Sequence, residues 1–189
     1  GTYAQHNGVW GDVPGAIETH AAKNITITNS ELRNLGIGGI RIGNGSSDCA
    51  ITNSAIHDIS SSGIFIGNNT GHNHGYCDPG TDVTGVVVRN NYITRTGLDI
   101  FGSSAICALY TSDTVIDHNE VCYTTYTGIS LGWGWDWKNA HCSGNNTVSN
   151  NYIHDTGKTI HDGGSFYSLG LQEGTKVFGN YLHHHSDGL

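Results

Sequence analysis

Gly39-Ile40-Arg41-Ile42 is followed 24 residues later by Gly63-Ile64-Phe65-Ile66, a second copy of the same short pattern. Both copies alternate Ile with other residue types, as β-strands with one buried face do. Further versions begin at residues 16, 105, 128 and 165, and the most closely spaced copies lie 23 or 24 residues apart. A fixed period of this length is typical of a solenoid in which each repeat forms one coil. These further copies are Ala16–Thr19, Ala105–Ala108, Gly128–Leu131 and Ser165–Ser168.

Each repeat continues with a second short strand, a pair of polar residues and a third strand. In the third repeat, Val86–Val88 are followed by Asn90-Asn91 and then by Tyr92-Ile93. Three short strands per coil predict a parallel β-helix, and parallel crossovers are almost always right-handed. Stacked coils would place the recurring Asn side chains above one another in an internal hydrogen-bonded ladder. We expect this ladder at Asn29, Asn53, Asn90 and Asn150.

The predicted fold class is therefore all-β: a right-handed, single-stranded parallel β-helix of about six coils, formed by residues 1–189 as one domain. Two coils are longer because they carry insertions at residues 68–82 and 133–146. Neither end of the repeat contains a segment that reads as a cap, and open strand edges attract further strands. We expect the domain to be an uncapped part of a longer solenoid, joined to further coils or stacked end to end.

Composition argues against several classes of function. The chain carries 8 Lys and Arg against 16 Asp and Glu, a net charge of −8, which argues against a nucleic-acid partner. No apolar stretch approaches about 18 residues, so a membrane partner is not expected. Four Asn-X-Ser/Thr sequons favour a secreted glycoprotein. They begin at Asn24, Asn44, Asn68 and Asn145.

The five cysteines are an odd number, so at least one is expected to be unpaired. Cys77 and Cys142 fall in the two insertions, which leave the same edge of the solenoid. In the oxidising compartment of a secreted protein we predict that these two form a disulfide. Cys49 is expected in the core as a small apolar residue.

One outer face of the solenoid is the predicted binding surface. Both insertions begin after first strands, so both rise from one edge of this face, where long loops commonly carry function. Each first strand contributes one outward residue: Glu18, Arg41, Phe65, Cys107, Ser130 and Tyr167. We predict that a substrate binds along this face and that Glu18, Arg41 and Tyr167 contact it.

The second insertion contains Gly132-Trp133-Gly134-Trp135-Asp136-Trp137. Three Trp side chains at a spacing of two share one side of an extended segment and would offer sugar rings a flat aromatic platform. The intervening Gly residues let a ligand approach the backbone. Alternatively, the three indoles cover the end of the core. We interpret Trp133, Trp135 and Trp137 as contacts for a polysaccharide or oligosaccharide.

A single acid precedes the sixth first strand, in His161-Asp162-Gly163-Gly164. The other coils have neutral residues at the position of Asp162, so coil stacking does not require a carboxylate there. At the mouth of the binding face it could act as a general acid, a base or a nucleophile. An Asx turn ahead of Gly-Gly is the alternative. We predict Asp162 as catalytic, Asp136 as its nearest partner carboxylate in this chain, and His161 as a substrate contact.

No cofactor and no metal site are predicted from the sequence. His72, His74 and Cys77 lie close together, but nothing fixes a fourth ligand. No Ser/His/Asp or Cys/His signature and no phosphate-binding loop are recognisable. Any catalysis by this chain would therefore depend on carboxylates.

Two segments resemble a known family. Gly128–Trp135 and Asp162–Gly170, with Gly179–His183 after them, are similar to segments of secreted right-handed β-helix proteins related to glycoside hydrolase family 141. That family includes fucosidase and xylanase activities on plant polysaccharide. The resemblance covers nearly the whole chain and implies hydrolysis of glycosidic bonds by paired carboxylates, with Asp162 at the family's Asp-Gly-Gly position. It also implies a second carboxylate in a following coil, since family members are several times longer.

Two alternatives to a hydrolase stay open. A polysaccharide lyase shares the fold but usually needs Ca²⁺ or a Lys or Arg base beside clustered acids, and Arg41 is the one basic residue among the outward first-strand residues. A non-catalytic sugar-binding or structural β-helix would use the Trp platform without an acid. The sequence favours an enzyme of the glycoside hydrolase type over both.

Overall fold

The computed structural model describes residues 13–67, 80–133 and 142–186. Within these ranges the chain forms short strands joined by turns, with no α-helix. Three parallel sheets of six strands run the length of the stack, and every coil contributes one strand to each. This arrangement is the predicted β-helix of six coils.

The strand bounds follow the repeat. The first sheet contains Gly15–His20, Gly38–Gly43, Ile64–Gly67, Ile106–Leu109, Ile129–Leu131 and Phe166–Ser168. The second sheet contains Thr26–Thr28, Ala50–Thr52, Val87–Arg89, Val115–Asp117, Thr147–Ser149 and Lys176–Phe178. The third sheet contains Glu31–Leu35, Ala55–Ile59, Tyr92–Thr96, Glu120–Cys122, Tyr152–His154 and Tyr181–His183. A separate pair is formed by Val83–Thr84 and Thr111–Ser112.

The core is a stack of β-branched and aliphatic side chains that point inward from all three sheets. Ile40 pairs in register with Ile64, and Ile64 with Ile106, so identical side chains lie directly above one another. These three residues are at most 1% exposed. Strands in a parallel sheet lie about 4.8 Å apart, which lets equivalent side chains of successive coils pack closely. Cys49 belongs to this core, as predicted.

The internal amide ladder occupies a different column from the predicted one. Asn29, Asn53, Asn90 and Asn150 are exposed, and each adopts a left-handed φ between 50° and 56°. The prediction that these four residues form the internal ladder is wrong, because the left-handed turn directs the first residue of each polar pair outward. The buried ladder is built from the second residues of the pairs, Asn91, Asn119, Asn151 and Asn180.

The strands Ile64–Gly67 and Ile129–Leu131 end shortly before the two predicted insertions. Both strands belong to the first sheet, with Ile106–Leu109 between them. Residues 68–79 and 134–141 lie outside the described ranges. Within those ranges no helix is long and apolar enough to span a membrane.

Candidate functional site

The outward residues of the first sheet form a single column across all six coils. Strand register pairs Glu18 with Arg41, Arg41 with Phe65 and Phe65 with Cys107. The column continues through Ser130 to Tyr167. The outward column predicted from the repeat therefore forms one continuous strip.

A pocket of about 180 Å³ opens on the half of this column that belongs to the last three coils. Its floor is sheet surface, and its two sides are formed by residues that precede and follow the first strands. Two predicted aromatic contacts, Trp133 and Tyr167, line it together with the predicted catalytic residue Asp162. The remaining lining residues are Ser104, Cys107, Leu109, Tyr126 and Ser130.

Two glycines position the side chains at opposite edges of the pocket. Gly132 has a φ of 78°, and a Cβ there would overlap the carbonyl oxygen of Leu169. Gly163 has a φ of 94°, and a Cβ there would lie 2.8 Å from Thr127 Oγ1. Glycine adopts this left-handed backbone without steric penalty. These glycines let the chain turn next to Trp133 on one side and next to Asp162 on the other.

Asp162 is exposed at the pocket, and Tyr126 is its aromatic neighbour there. Burial, and after it the negative charge of Asp162, raise the pKa of the Tyr126 hydroxyl. The phenol therefore stays protonated at neutral pH, where it is able to donate a hydrogen bond. The pair offers a carboxylate and a phenolic O–H to the same small ligand.

Cys107 lies in the floor of the pocket, yet it is not suited to nucleophilic catalysis. Burial raises the pKa of its thiol to about 12, with only partial compensation by the positive charge of Arg41. A thiol with that pKa is neutral at physiological pH, and only the thiolate is a strong nucleophile. Cys107 instead packs with Phe65, Leu109 and Tyr110 in a small apolar cluster on the outer face.

Trp133 is partly buried and packs against the same cluster. It therefore covers apolar surface on the outer face of the first sheet rather than the end of the main core. Its position at the rim of the pocket is compatible with a stacking contact to a sugar ring.

Glu18 and Arg41 lie at the other end of the column, outside the pocket. Arg41 is 9% exposed; its Nε lies 3.6 Å from Glu18 Oε1, and its guanidinium carbon is 5.1 Å from the centre of the Phe65 ring. His161 is exposed next to Asp162 but does not line the pocket either. Among the predicted site residues that the structure describes, Asp162, Trp133 and Tyr167 thus lie together at the pocket.

Several predicted residues fall outside the described ranges: Asp136, Trp135, Trp137 and Cys77. The proposed partner carboxylate, most of the Trp platform and the predicted disulfide therefore stay predictions. Cys142 is described, and its Sγ lies 3.8 Å from the Tyr110 carbonyl oxygen. Free thiols among the described cysteines are Cys49, Cys107 and Cys122.

Sequence reasoning missed Ser104 and Tyr126. They precede the strands Ile106–Leu109 and Ile129–Leu131 by two and three residues, in turns equivalent to the one that carries Asp162 before the next first strand. The comparison of these turns covered only the position of Asp162; extending it to the residues between that position and the strand would have indicated that they share an edge of the face.

Comparisons with known proteins agree with this architecture. A solved structure named "Glycoside hydrolase" superposes with a TM-score of 0.76 at 27% identity, over 90% of this chain and 31% of that one. The chain thus spans less than a third of that protein's length. A search of curated proteins gives no significant match. The family model described as "Right handed beta helix region" matches residues 15–189, which also confirms the predicted handedness. The chain belongs to the right-handed β-helix family.

Proposed function

We propose that this chain carries part of the active site of a secreted glycoside hydrolase that cleaves plant-type polysaccharide, with Asp162 as a catalytic carboxylate. The observation that carries the proposal is the pocket where Asp162 lies with Trp133, Tyr126 and Tyr167. An acid beside aromatic side chains is the combination that glycosidases use to bind a sugar and either protonate its glycosidic oxygen or attack its anomeric carbon. The similarity to a solved glycoside hydrolase supports the same reaction class.

The chemistry requires a second carboxylate. Asp162 is the one acid among the described residues that line the pocket. Its partner is Asp136 in the second insertion or an acid on a coil beyond this chain. Carboxylates about 5–5.5 Å apart give retention of configuration, and those about 6.5–9.5 Å apart give inversion. A partner on the adjoining coil, one strand spacing of about 4.8 Å away, would make the enzyme retaining.

Tyr126 and the two pocket serines are assigned to substrate binding. The protonated phenol of Tyr126 donates to a sugar oxygen or to the carboxylate of Asp162. Ser104 and Ser130 provide hydroxyls along the same wall and floor. Trp133 and Tyr167 present the apolar surface on which the sugar ring packs.

A lyase mechanism receives no support from the described residues. The base of such an enzyme would need to stand at the pocket, but Arg41 is buried at the other end of the column beside Glu18 and Phe65. No Lys or Arg lines the pocket among the residues that the structure describes. A non-catalytic sugar-binding module remains as an outcome of the experiment.

The test is incubation of the full-length protein with arabinoxylan, pectic and fucosylated oligosaccharides. New reducing ends without near-ultraviolet absorbance would support hydrolysis. An unsaturated product that absorbs in the near ultraviolet would contradict it in favour of a lyase. Binding without any product, measured by titration calorimetry, would contradict it in favour of a sugar-binding module.

A further inference from the structure

The outer face of the third sheet, away from the pocket, carries a compact group of three potential metal ligands. Glu120 and Cys122 are two residues apart on one strand, so both point outward on the same face. Cys122 pairs in register with His154 on the strand of the next coil. One ligand atom of each residue lies within 4.8 Å of the other two.

The imidazole of His154 is held in the orientation that metal ligands usually adopt. Its Nδ1 lies 2.9 Å from Asp155 Oδ2, and because a carboxylate only accepts, Nδ1 carries the proton. Its other ring nitrogen, Nε2, lies toward Glu120. Lys158 Nζ in turn lies 2.9 Å from Asp155 Oδ1. A carboxylate behind the ligating histidine is the usual outer-shell arrangement in zinc proteins.

The separation between the nitrogen and oxygen ligand atoms fits a tetrahedral ion. His154 Nε2 and Glu120 Oε1 are 3.4 Å apart. Bond lengths of about 2.1 Å to nitrogen and oxygen and about 2.3 Å to sulfur place tetrahedral zinc ligands about 3.3–3.8 Å apart. A cation bound between the two atoms would take the place of a proton and accept a lone pair from each.

Cys122 supplies the soft ligand. It is 1% exposed, and its S–H donates to Thr94 Oγ1 at 3.4 Å. On metal binding the thiol would release its proton to solvent and form a metal–sulfur bond. Glu120 keeps 45% of its side chain exposed, so the group is reachable from the surface. One thiolate, one imidazole and one carboxylate are a donor set that suits Zn²⁺.

We propose that Glu120, Cys122 and His154 bind Zn²⁺ through three protein ligands, with the fourth position open to water or a small ligand. The site is independent of Asp162 and of the proposed hydrolysis.

The described residues contain a comparison site with the same His, Asp and Glu arrangement but with no sulfur. His57 Nδ1 lies 2.7 Å from Asp58 Oδ2, and its Nε2 lies 3.1 Å from Glu31 Oε1, which repeats the surroundings of His154. At the position equivalent to Cys122, the partner of His57 in register is Arg33. A guanidinium there repels a cation and provides no lone pair. His57 therefore serves as the internal control.

The experiment is titration of the reduced, chelator-treated chain with Zn²⁺ by calorimetry and with Co²⁺ by absorption spectroscopy. We expect about one equivalent of metal, and thiolate-to-cobalt charge-transfer absorption in the near ultraviolet. Cys122→Ser should abolish that absorption, and His154→Gln and Glu120→Gln should each weaken zinc binding at least about tenfold. Glu120→Gln changes an exposed side chain, and far-ultraviolet circular dichroism checks that each variant is folded.

The control variant is His57→Gln, which should bind Zn²⁺ as the parent does. Absence of stoichiometric binding would overturn the proposal. Undiminished charge-transfer absorption in folded Cys122→Ser would also overturn it. An equal loss of zinc affinity in His57→Gln and His154→Gln would do the same, since either result would place the metal elsewhere.

Discussion

The Nδ2 of Asn119 donates a hydrogen bond to Oδ1 of Asn151 at 2.9 Å, and both side chains are 1% exposed. Asn119 Nδ2 also donates to the Val88 carbonyl at 3.0 Å, and its Oδ1 accepts from the backbone N–H of Asn91 at 3.0 Å. One amide thus satisfies two backbone groups of the preceding coil and the Asp117 carbonyl of its own turn, and it also bonds the Asn151 side chain of the following coil. Buried polar groups need such partners, and because the amide finds them it is accommodated at this buried position.

Replacement of Asn119 by Ala should destabilise the fold. The substitution leaves several buried donors and acceptors unsatisfied, and we expect a loss of about 3 kcal/mol in the free energy of unfolding. Urea denaturation of the parent and the variant measures this difference in the free energy of unfolding.

Asn90→Gly is the matched control for Asn119→Ala. Asn90 is exposed with a φ of 56°, and Gly179 fills the equivalent turn position of the last coil with a φ of 67°. Glycine accepts this backbone, so a change below about 1 kcal/mol is expected. Similar losses in both variants would contradict the assignment of the ladder to the buried column.

The ladder also shows how much of the fold can be predicted from the sequence. The period predicts coils, sheets and the outward column through Glu18 and Tyr167, because every coil repeats the same alternation. The pair Asn90-Asn91 does not reveal which member adopts the left-handed φ, so the predicted column is one residue off. Likewise, no local spacing joins His154 to Cys122, since their contact depends on the register between coils.

Acid should destabilise the protein through carboxylates that are ionised and paired in the folded state. Hydrogen bonds from Arg95 and His57 hold the pKa of Asp58 well below its ordinary value of 3.8. A depressed folded-state pKa contributes stability above the unfolded-state pKa, and this stability is lost as the pH falls through the folded-state pKa. The free energy of unfolding should therefore decrease as the pH drops below about 4.

Denaturation curves between pH 6 and pH 2, taken at ~1-unit steps, test this behaviour. Asp58→Asn removes the titrating group, so its stability should depend less steeply on pH in the acid range than that of the parent. An unchanged slope in this variant would show that the Arg95 and His57 contacts do not survive in solution.

The predicted disulfide between Cys77 and Cys142 is tested by peptide mapping. Under non-reducing conditions we expect a single cross-linked peptide that contains both residues. The described thiols Cys49, Cys107 and Cys122 should be alkylated only after unfolding, because all three are buried. Recovery of Cys77 as a free thiol in the native protein would refute the pairing.

Trp133 should contribute to sugar binding. It lines the pocket and packs on the outer apolar cluster, so Trp133→Ala removes both a stacking surface and part of the wall. We expect an oligosaccharide Kd about tenfold higher, equivalent to about 1.4 kcal/mol. Phe101→Ala, which alters a 48% exposed aromatic outside the pocket, is the control and should leave Kd unchanged. Equal effects of the two substitutions would argue against a specific contact.

The most direct test of the account is the kcat/KM of Asp162→Asn in the full-length protein, on the oligosaccharide that the substrate panel identifies. If Asp162 is a catalytic carboxylate, kcat/KM should fall roughly 10²–10⁴-fold while oligosaccharide affinity is retained. Asp113→Asn is the matched control, since Asn24 and Asn145 fill the same left-handed turn position in other coils; it should retain full activity. A kcat/KM of Asp162→Asn within about threefold of the parent would contradict the account, because the catalytic carboxylate would then lie elsewhere.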